Sequence, residues 1–316
     1  MKKRQITIKD IAKALHISPS TVSRSLADHP DISQETKNIV NAYAREHKYK
    51  PNALALSLRT NNTKTIGVIL PQIVHYFFSS VLSGIEDEAE KGGYRVIICQ
   101  SNENYEKEVK GAQALLEARV CGVLASVAKT TTIYNHFQEL IDSDIPMVFF
   151  DRICTGILTD RVVVDDYAGV CSAVEYLIRS GCRRIAFFGS PSHLAISNNR
   201  RMGYEDALRK NGLPVDKEVI KICDNYTEAL RLTPELLSLP NRPDAFFAVN
   251  DETAIGVLNV VKAKGLRIPD EVSICGFTNN SLAEVSDPLL TSVDQHGQKT
   301  HRMTHTLGIG YGPFAV

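Results

Sequence analysis

From residue 65 to residue 277 the chain alternates short β-branched runs with amphipathic helical patterns, and this rhythm limits what it can fold into. Residues 65–70 read as a strand, 79–92 as a helix, 94–99 as a strand, 106–119 as a helix and 121–124 as a strand. The pattern continues with a helix at 133–143 and a strand at 146–150. A second set follows from Val162, with helices at 168–181, 200–212, 226–239 and 254–265 between strands at 184–188, 219–222, 245–249 and 272–277. Each helix carries the chain back to start the next strand in the same direction, which yields parallel sheets covered on both faces. Two sets predict two lobes with a ligand cleft between strand C-terminal ends. With 316 residues, 43 % of them hydrophobic and 23 % charged, the chain is long enough for two or three domains with ordinary cores.

The residues ahead of this alternation have a different character. Net charge over the whole chain is zero, but residues 1–64 hold 12 Lys and Arg against 5 Asp and Glu. A basic head on an acidic body suits contact with phosphate. Thr7 and Asp10 have the spacing of a capping box, and Ile8, Ile11, Ala12 and Leu15 then recur on one helical face. Ser18 before Pro19 starts a second helix, reaching about Leu26 with Val22 and Leu26 inward. A third starts at Ser33, turns Ile39, Val40 and Tyr43 inward and ends near Lys48. Three short helices with a tight turn between the first two fit a helix-turn-helix. Pro19, Ser20, Thr21, Ser23 and Arg24 face outward on the second helix. Small hydroxylated residues can approach phosphates and base edges, and an arginine can fork onto a guanine in the major groove. Beyond Pro51, Asn52 caps a short leucine-bearing segment with Leu54, Leu56 and Leu58, read either as a helix on its own domain or as a hinge helix that wedges the minor groove.

Strand ends in the body carry groups suited to a small polar ligand: Phe77 and Phe78 after the first strand, Asp151 and Arg152 after the fourth, Arg200, and Asn250 with Asp251. Carboxylates, an amide and an arginine around aromatic rings suit a sugar, a nucleoside or a similar metabolite. Asp151 and Asp251 taken singly read equally as turn or helix caps. There is no phosphate-binding loop and no nucleophile elbow, so no catalytic residue and no cofactor are expected. His301 and His305 lack a third ligand, and no metal is expected. The seven cysteines show no paired spacing and read as free thiols. Lys2, Lys3 and Arg4 precede no apolar segment, so neither a signal peptide nor a membrane span is expected, and the location predicted is the cytoplasm.

Residues 7–13 (TIKDIAK), 20–26 (STVSRSL) and 51–58 (PNALALSL) together resemble the head and hinge of the lactose-repressor family of transcriptional regulators. The resemblance implies base reading by Pro19, Ser20 and Arg24, backbone contacts at Thr7 and Asn52, and a leucine inserted in the operator's central step at Leu58, with Ala55 on the same helix. Pro71 through Phe77–Phe78, Val164–Gly169, Arg200 with Gly203, Asn250–Asp251 and Gly276–Phe277 are similar to that family's effector-binding core. By position, Phe77, Asp151, Arg200 and Asn250 match effector contacts. Thr278, Asn279 and Asn280 stand where the family has an aspartate after its last core strand, which puts the usual sugar-binding geometry in doubt. The resemblance also implies a pseudo-palindromic double-stranded operator, a homodimer and a periplasmic-binding-protein-like body.

The fold expected is an all-α helix-turn-helix head joined to an α/β body of two doubly wound parallel sheets. Residues 1–50 form the head, 51–64 the hinge and linker, 65–297 the core, and 298–316 an atypical tail. Within the core, 65–160 with about 290–297 form one lobe and 161–289 the other. The tail has no helical period and alternates Gly308, Gly310 and Gly312. It reads as a truncated or out-of-frame end, the alternative being a divergent functional one. Two further alternatives are a two-lobed solute-binding protein and an effector-insensitive repressor.

Overall fold

The structure, a computed structural model, describes residues 6–49 and 63–295. The chain divides into two compact units, Met1–Thr63 and Lys64–Val316.

The first unit contains three helices, α1 (Ile8–Ala14), α2 (Pro19–Leu26) and α3 (Gln34–Glu46). Each starts where a hydroxyl can serve an unpaired helical N–H: Thr7, Ser18 and Ser33 accept from the backbone of Asp10, Thr21 and Thr36. Ile11, Ala12, Val22, Val40 and Ala44 form a shared core, with Ile8, Leu15, Leu26 and Tyr43 packed against it. Ile39 is a correction: it is 51 % exposed. The inward stripe of α3 is Lys37, Val40 and Ala44, and Ile39 lies about 100° from Val40 around the helix. Lys37 is tolerated there because its ammonium reaches the Asp28 carboxylate at 2.8 Å and the Asp28 carbonyl at 3.3 Å.

The second unit holds two five-stranded parallel sheets. In chain order the first lobe runs β1 (Thr65–Leu70), α4 (Tyr76–Lys91), β2 (Arg95–Gln100), α5 (Tyr105–Glu117), β3 (Gly122–Ala125), α6 (Asn135–Asp142), β4 (Met147–Phe150) and β5 (Asp160–Val162). Its strand order is β2-β1-β3-β4-β5. The second lobe runs α7 (Asp166–Arg179), β6 (Ile185–Gly189), α8 (Ala195–Lys210), a 3-10 turn at Lys217–Val219, β7 (Ile220–Ile222), α9 (Tyr226–Leu237), β8 (Ala245–Ala248), α10 (Asp251–Ala263), β9 (Ser273–Thr278), α11 (Ser281–Val285) and β10 (Thr291–Asp294). Its order is β10-β9-β8-β6-β7.

Strand alternation builds a core on each face of each sheet. In the first lobe Ile69, Val123, Ala125, Met147 and Phe149 face one cluster, while Val68, Leu70, Leu124, Val148 and Phe150 face the other. The second lobe is divided in the same way.

Two lobe assignments differ from expectation. Residues 160–162 pair with β4 and belong to the first sheet. Residues 291–294 pair with β9, Thr291 opposite Cys275, and so extend the second sheet instead of returning to the first. Both segments are short strands at a sheet edge, and a short hydrophobic pattern does not say which sheet edge it joins. Helix starts also move earlier: α8 begins at Ala195 and α10 at Asp251, against expected starts at 200 and 254. Ile196 and Ser197 in the first turn of α8 and Glu252 in the first turn of α10 line a cleft, so these turns do not follow the apolar stripe that an amphipathicity reading looks for.

Candidate functional site

A cavity of about 520 Å³ lies between the lobes. It is lined by segments that follow β1, β3, β4, β6, β7, β8, β9 and β10, hence by the C-terminal ends of both sheets. Each sheet has its switch of strand order here, β1 beside β3 in one and β6 beside β8 in the other, so neighbouring loops diverge and open a crevice. Phe77, Asp151, Arg200, Asn250 and Thr278, the five effector candidates, all line this one cavity.

Asp151 follows β4 in a left-handed conformation, φ +57°. Its side chain is only 7 % exposed, with the Arg152 guanidinium 3.9 Å away. Burial pushes its carboxyl up from 3.8 to about 6, against the pull of Arg152 and Arg200. A carboxylate so placed suits a ligand with hydroxyl or N–H donors.

Arg200 is held on three sides. Its Nε donates to Asp166 at 2.8 Å, a terminal nitrogen donates to the Val249 carbonyl at 2.6 Å, and its guanidinium lies 4.0 Å from the centroid of the Phe277 ring. Two of the five guanidinium donors are thus used, and the planar group is preset for a ligand's acceptors. Burial raises the carboxyl of Asp166, and the Arg200 charge opposes that rise.

Asn250 is the N-cap of α10, accepting from Thr253 N–H at 2.8 Å while its amide donates to the Asp224 carbonyl at 2.9 Å. It is both cap and lining residue. Asp251 is not in the lining. It is buried and accepts from Ser292 Oγ at 2.5 Å and from Asn280 N–H at 2.8 Å, tying β9 and β10 to α10. Burial raises its carboxyl, with the Ser292 bond acting against the rise. Thr278 has φ +122°, an unusual conformation for a β-branched residue, and its hydroxyl donates to Gln295 Oε1 at 2.9 Å. Phe77 is buried and packs edge-on to Phe78 at 5.5 Å.

Several lining residues escaped the sequence reading. Lys129, Ser197, Asp224 and Gln295 all face the cavity, and the Ser197 hydroxyl and the Gln295 amide nitrogen are buried with no hydrogen-bond partner among the described residues. Lys129, Asp224 and Gln295 follow β3, β7 and β10, so the strand-end rule that found Asp151 would have reached them had it been applied to every strand. The starts of α4 and α8 at the cavity follow His75 and Leu194, and neither caps its helix with a side chain. Their first N–H groups and positive helix ends therefore face the cleft.

The DNA-facing candidates of the head are arranged along α1 and α2. Thr7 closes the capping box, its hydroxyl donating to Asp10 Oδ2 at 2.7 Å and its N–H to the same oxygen at 2.9 Å. Pro19 is the first residue of α2. Pro19, Ser20 and Arg24 are exposed, and Thr21 and Ser23 are half-buried. Ser18 Oγ lies 2.6 Å from Ser20 Oγ and 2.8 Å from Thr21 Oγ1, which holds the hydroxyls in one cluster at the helix start. Asn52, Ala55 and Leu58 lie outside the described residues, as do His301, His305 and the tail.

Two family models match the chain. One, described as periplasmic binding proteins and sugar binding domain of LacI family, spans residues 63–309. The other, described as bacterial regulatory proteins, lacI family, spans residues 7–52. The chain belongs to the LacI family. As a member it is a DNA-binding transcriptional regulator controlled by a small-molecule effector. The first of these matches runs to residue 309, into the stretch read as an atypical tail.

Among curated relatives, the HTH-type transcriptional repressor PurR of Vibrio atlanticus (strain LGP32) is 33 % identical over 293 residues, covering 92 % of this chain and 86 % of that protein. Catabolite control protein A of Priestia megaterium is 32 % identical over 292 residues, covering 92 % and 87 %. A Lac repressor dimer solved with operator and the anti-inducer ONPF is similar in fold, with TM-score 0.84 at 21 % identity, covering 96 % of this chain and 92 % of that one. Among the described residues no helix is long and apolar enough to cross a membrane.

Proposed function

We propose that this LacI-family member is a homodimeric repressor that reads a pseudo-palindromic operator with α2 and responds to a polar metabolite of the sugar or nucleoside class held between its lobes. Pro19, Ser20, Thr21, Ser23 and Arg24 meet the major groove, Thr7 and Asn52 meet the backbone, and Ala55 and Leu58 of the hinge meet the minor groove. The ligand donates hydroxyl or N–H hydrogens to Asp151, accepts from Arg200 and packs against Phe77, with Asn250 and Thr278 completing the wall. The observation that carries this reading is the convergence of five residues, scattered from Phe77 to Thr278, on one cleft with a buried carboxylate and a preset guanidinium. Such a ligand touches both lobes, so occupancy favours one lobe arrangement and couples to how two heads meet DNA. The regulator works where the chromosome is, in the cytoplasm, and needs no cofactor and no metal.

Two measurements test the proposal. A thermal-shift screen of sugars, nucleobases and nucleosides should find a compound that raises Tm, by the equivalent of about 2.7 kcal/mol at a hundredfold excess over Kd. A duplex selected by the full chain from a random pool should lose about 1–3 kcal/mol of binding with Arg24→Ala, and mostly at one base position. Binding that ignores Arg24→Ala would overturn the DNA-reading assignment. A chain that binds the selected duplex but responds to no compound would be an effector-insensitive repressor instead.

A further inference from the structure

We propose that the segment 126–131 is a latch between the lobes, in which Lys129 spans the cleft and Glu108 is the positioning residue that holds it there. The inference rests on the reading of the cleft as the effector site, because the latch stands at the cleft's wall.

Lys129 follows β3 in the first lobe and makes two contacts with the second. Its Nζ is 2.8 Å from Asp224 Oδ2, with the two side chains 25 % and 8 % exposed. Its carbonyl accepts from His193 Nε2 at 2.6 Å. One residue thus meets both the loop after β6 and the loop after β7. A second contact across the cleft, His75 Nδ1 with Glu252 Oε2 at 3.3 Å, is more exposed, at 36 % and 42 %. Because Asp224 and Lys129 are shielded from water, their attraction is less screened than that of a surface pair.

An unsupported lysine would spend much of its attraction on ordering itself. Here the backbone that carries it is fixed from below by two carboxylates of the first lobe. Glu108, fully buried in α5, accepts from Ala128 N–H at 2.6 Å, from Thr131 Oγ1 at 2.7 Å and from His136 Nε2 at 3.0 Å. Glu103 accepts from Lys129 N–H at 2.7 Å and is itself held by Arg152 at 2.8 Å and 2.9 Å. Thr130 Oγ1 adds a bond to the Glu103 carbonyl at 2.9 Å. A buried carboxylate is costly without donors, so the segment must fold around Glu108 to supply them. Neither Glu103 nor Glu108 lines the cavity. Their role is to present Lys129, and through it to bias the lobes towards closure before any ligand arrives.

The test is a distance measurement on the full chain with neither effector nor DNA present. Ketone-reactive spin labels on unnatural residues at the exposed positions Gln113 and Lys264 report lobe separation by electron–electron double resonance. With Lys129→Ala or Asp224→Asn the ratio of long-distance to short-distance populations should rise about fivefold, the size of a worthwhile ion pair. The double variant should go no further, and Lys129→Arg should restore the original distribution. Glu108→Gln should give the same shift and faster deuterium uptake at 126–131, with no addition to the Lys129→Ala effect. Thr131→Val, which removes one donor, carries the same reading should Glu108→Gln not fold. Unchanged distances in Lys129→Ala would overturn the latch. A Glu108→Gln shift that adds to that of Lys129→Ala would overturn the positioning role. Neither outcome depends on whether an effector is found, so a failed latch is distinct from a failed effector assignment.

Discussion

At the scale of single residues, two charged groups of the cleft behave in opposite ways. Asp151 is buried with a carboxyl raised to about 6. Between 3.8 and 6 the folded chain keeps this proton and the unfolded chain releases it, so the group's contribution to stability falls as pH rises through that window. Asp151→Asn removes the effect. Relative to wild type it should gain roughly 2–3 kcal/mol between pH 4 and pH 7, read by urea denaturation at each pH; parallel curves would contradict the assignment. A ligand that donates hydrogens to the carboxylate should bind wild type more tightly above pH 6 than below it, and Asp151→Asn without that dependence. Arg200 and Asp166, in contrast, neutralise each other at 2.8 Å. Arg200→Met should cost about 3–5 kcal/mol by leaving a buried carboxylate unpaired, and adding Asp166→Asn should recover part of that loss. Equal losses in the single and double variants, measured by denaturation, would show that the pair does not act as one unit.

At the scale of elements, close approach of helices fixes positions that composition alone treats as interchangeable. A Cβ on Gly203 of α8 would lie 2.5 Å from the Tyr167 carbonyl of α7, a backbone atom that cannot swing aside. Gly203→Ala should therefore cost about 1–3 kcal/mol by forcing the two helices apart, despite the better helix propensity of alanine. Thermal melting that shows stabilisation would refute the close packing. In the head, the capping box of α1 was legible directly from Thr7 and Asp10, because a cap is a local matter of hydrogen-bond geometry. The inward face of α3 was less so. Ile39 is apolar and lies next to Val40, and only the neighbouring helices decide which residue faces the core.

At the scale of the whole molecule, the two sheets meet at their C-terminal ends and the cleft draws on eight strand termini. A ligand held there should slow deuterium exchange at the starts of α4 and α8 together, since both helix ends face the same space. Protection confined to one lobe would contradict a bridging ligand. The sheet edges are where expectation and structure part. Strand β10 carries only a short pattern, Thr291–Asp294, and its neighbour could have been either sheet. Pairing with β9 places Gln295 in the cleft and brings its amide oxygen to Thr278.

What the sequence determined by itself were the features governed by local chemistry and by the order of elements. Helix caps, the strand–helix rhythm, the basic head with its exposed Arg24, and the strand-end positions of Asp151 and Asn250 depend on neighbours a few residues away or on period alone. Only the tertiary structure decided that these positions share one cavity, that burial raises the Asp151 carboxyl, and that Asp166 and Phe277 hold Arg200. It alone brought Lys129 to Asp224 and Glu108 beneath it. Burial and long-range pairing set those properties, and both depend on which residues distant in the chain become neighbours in space.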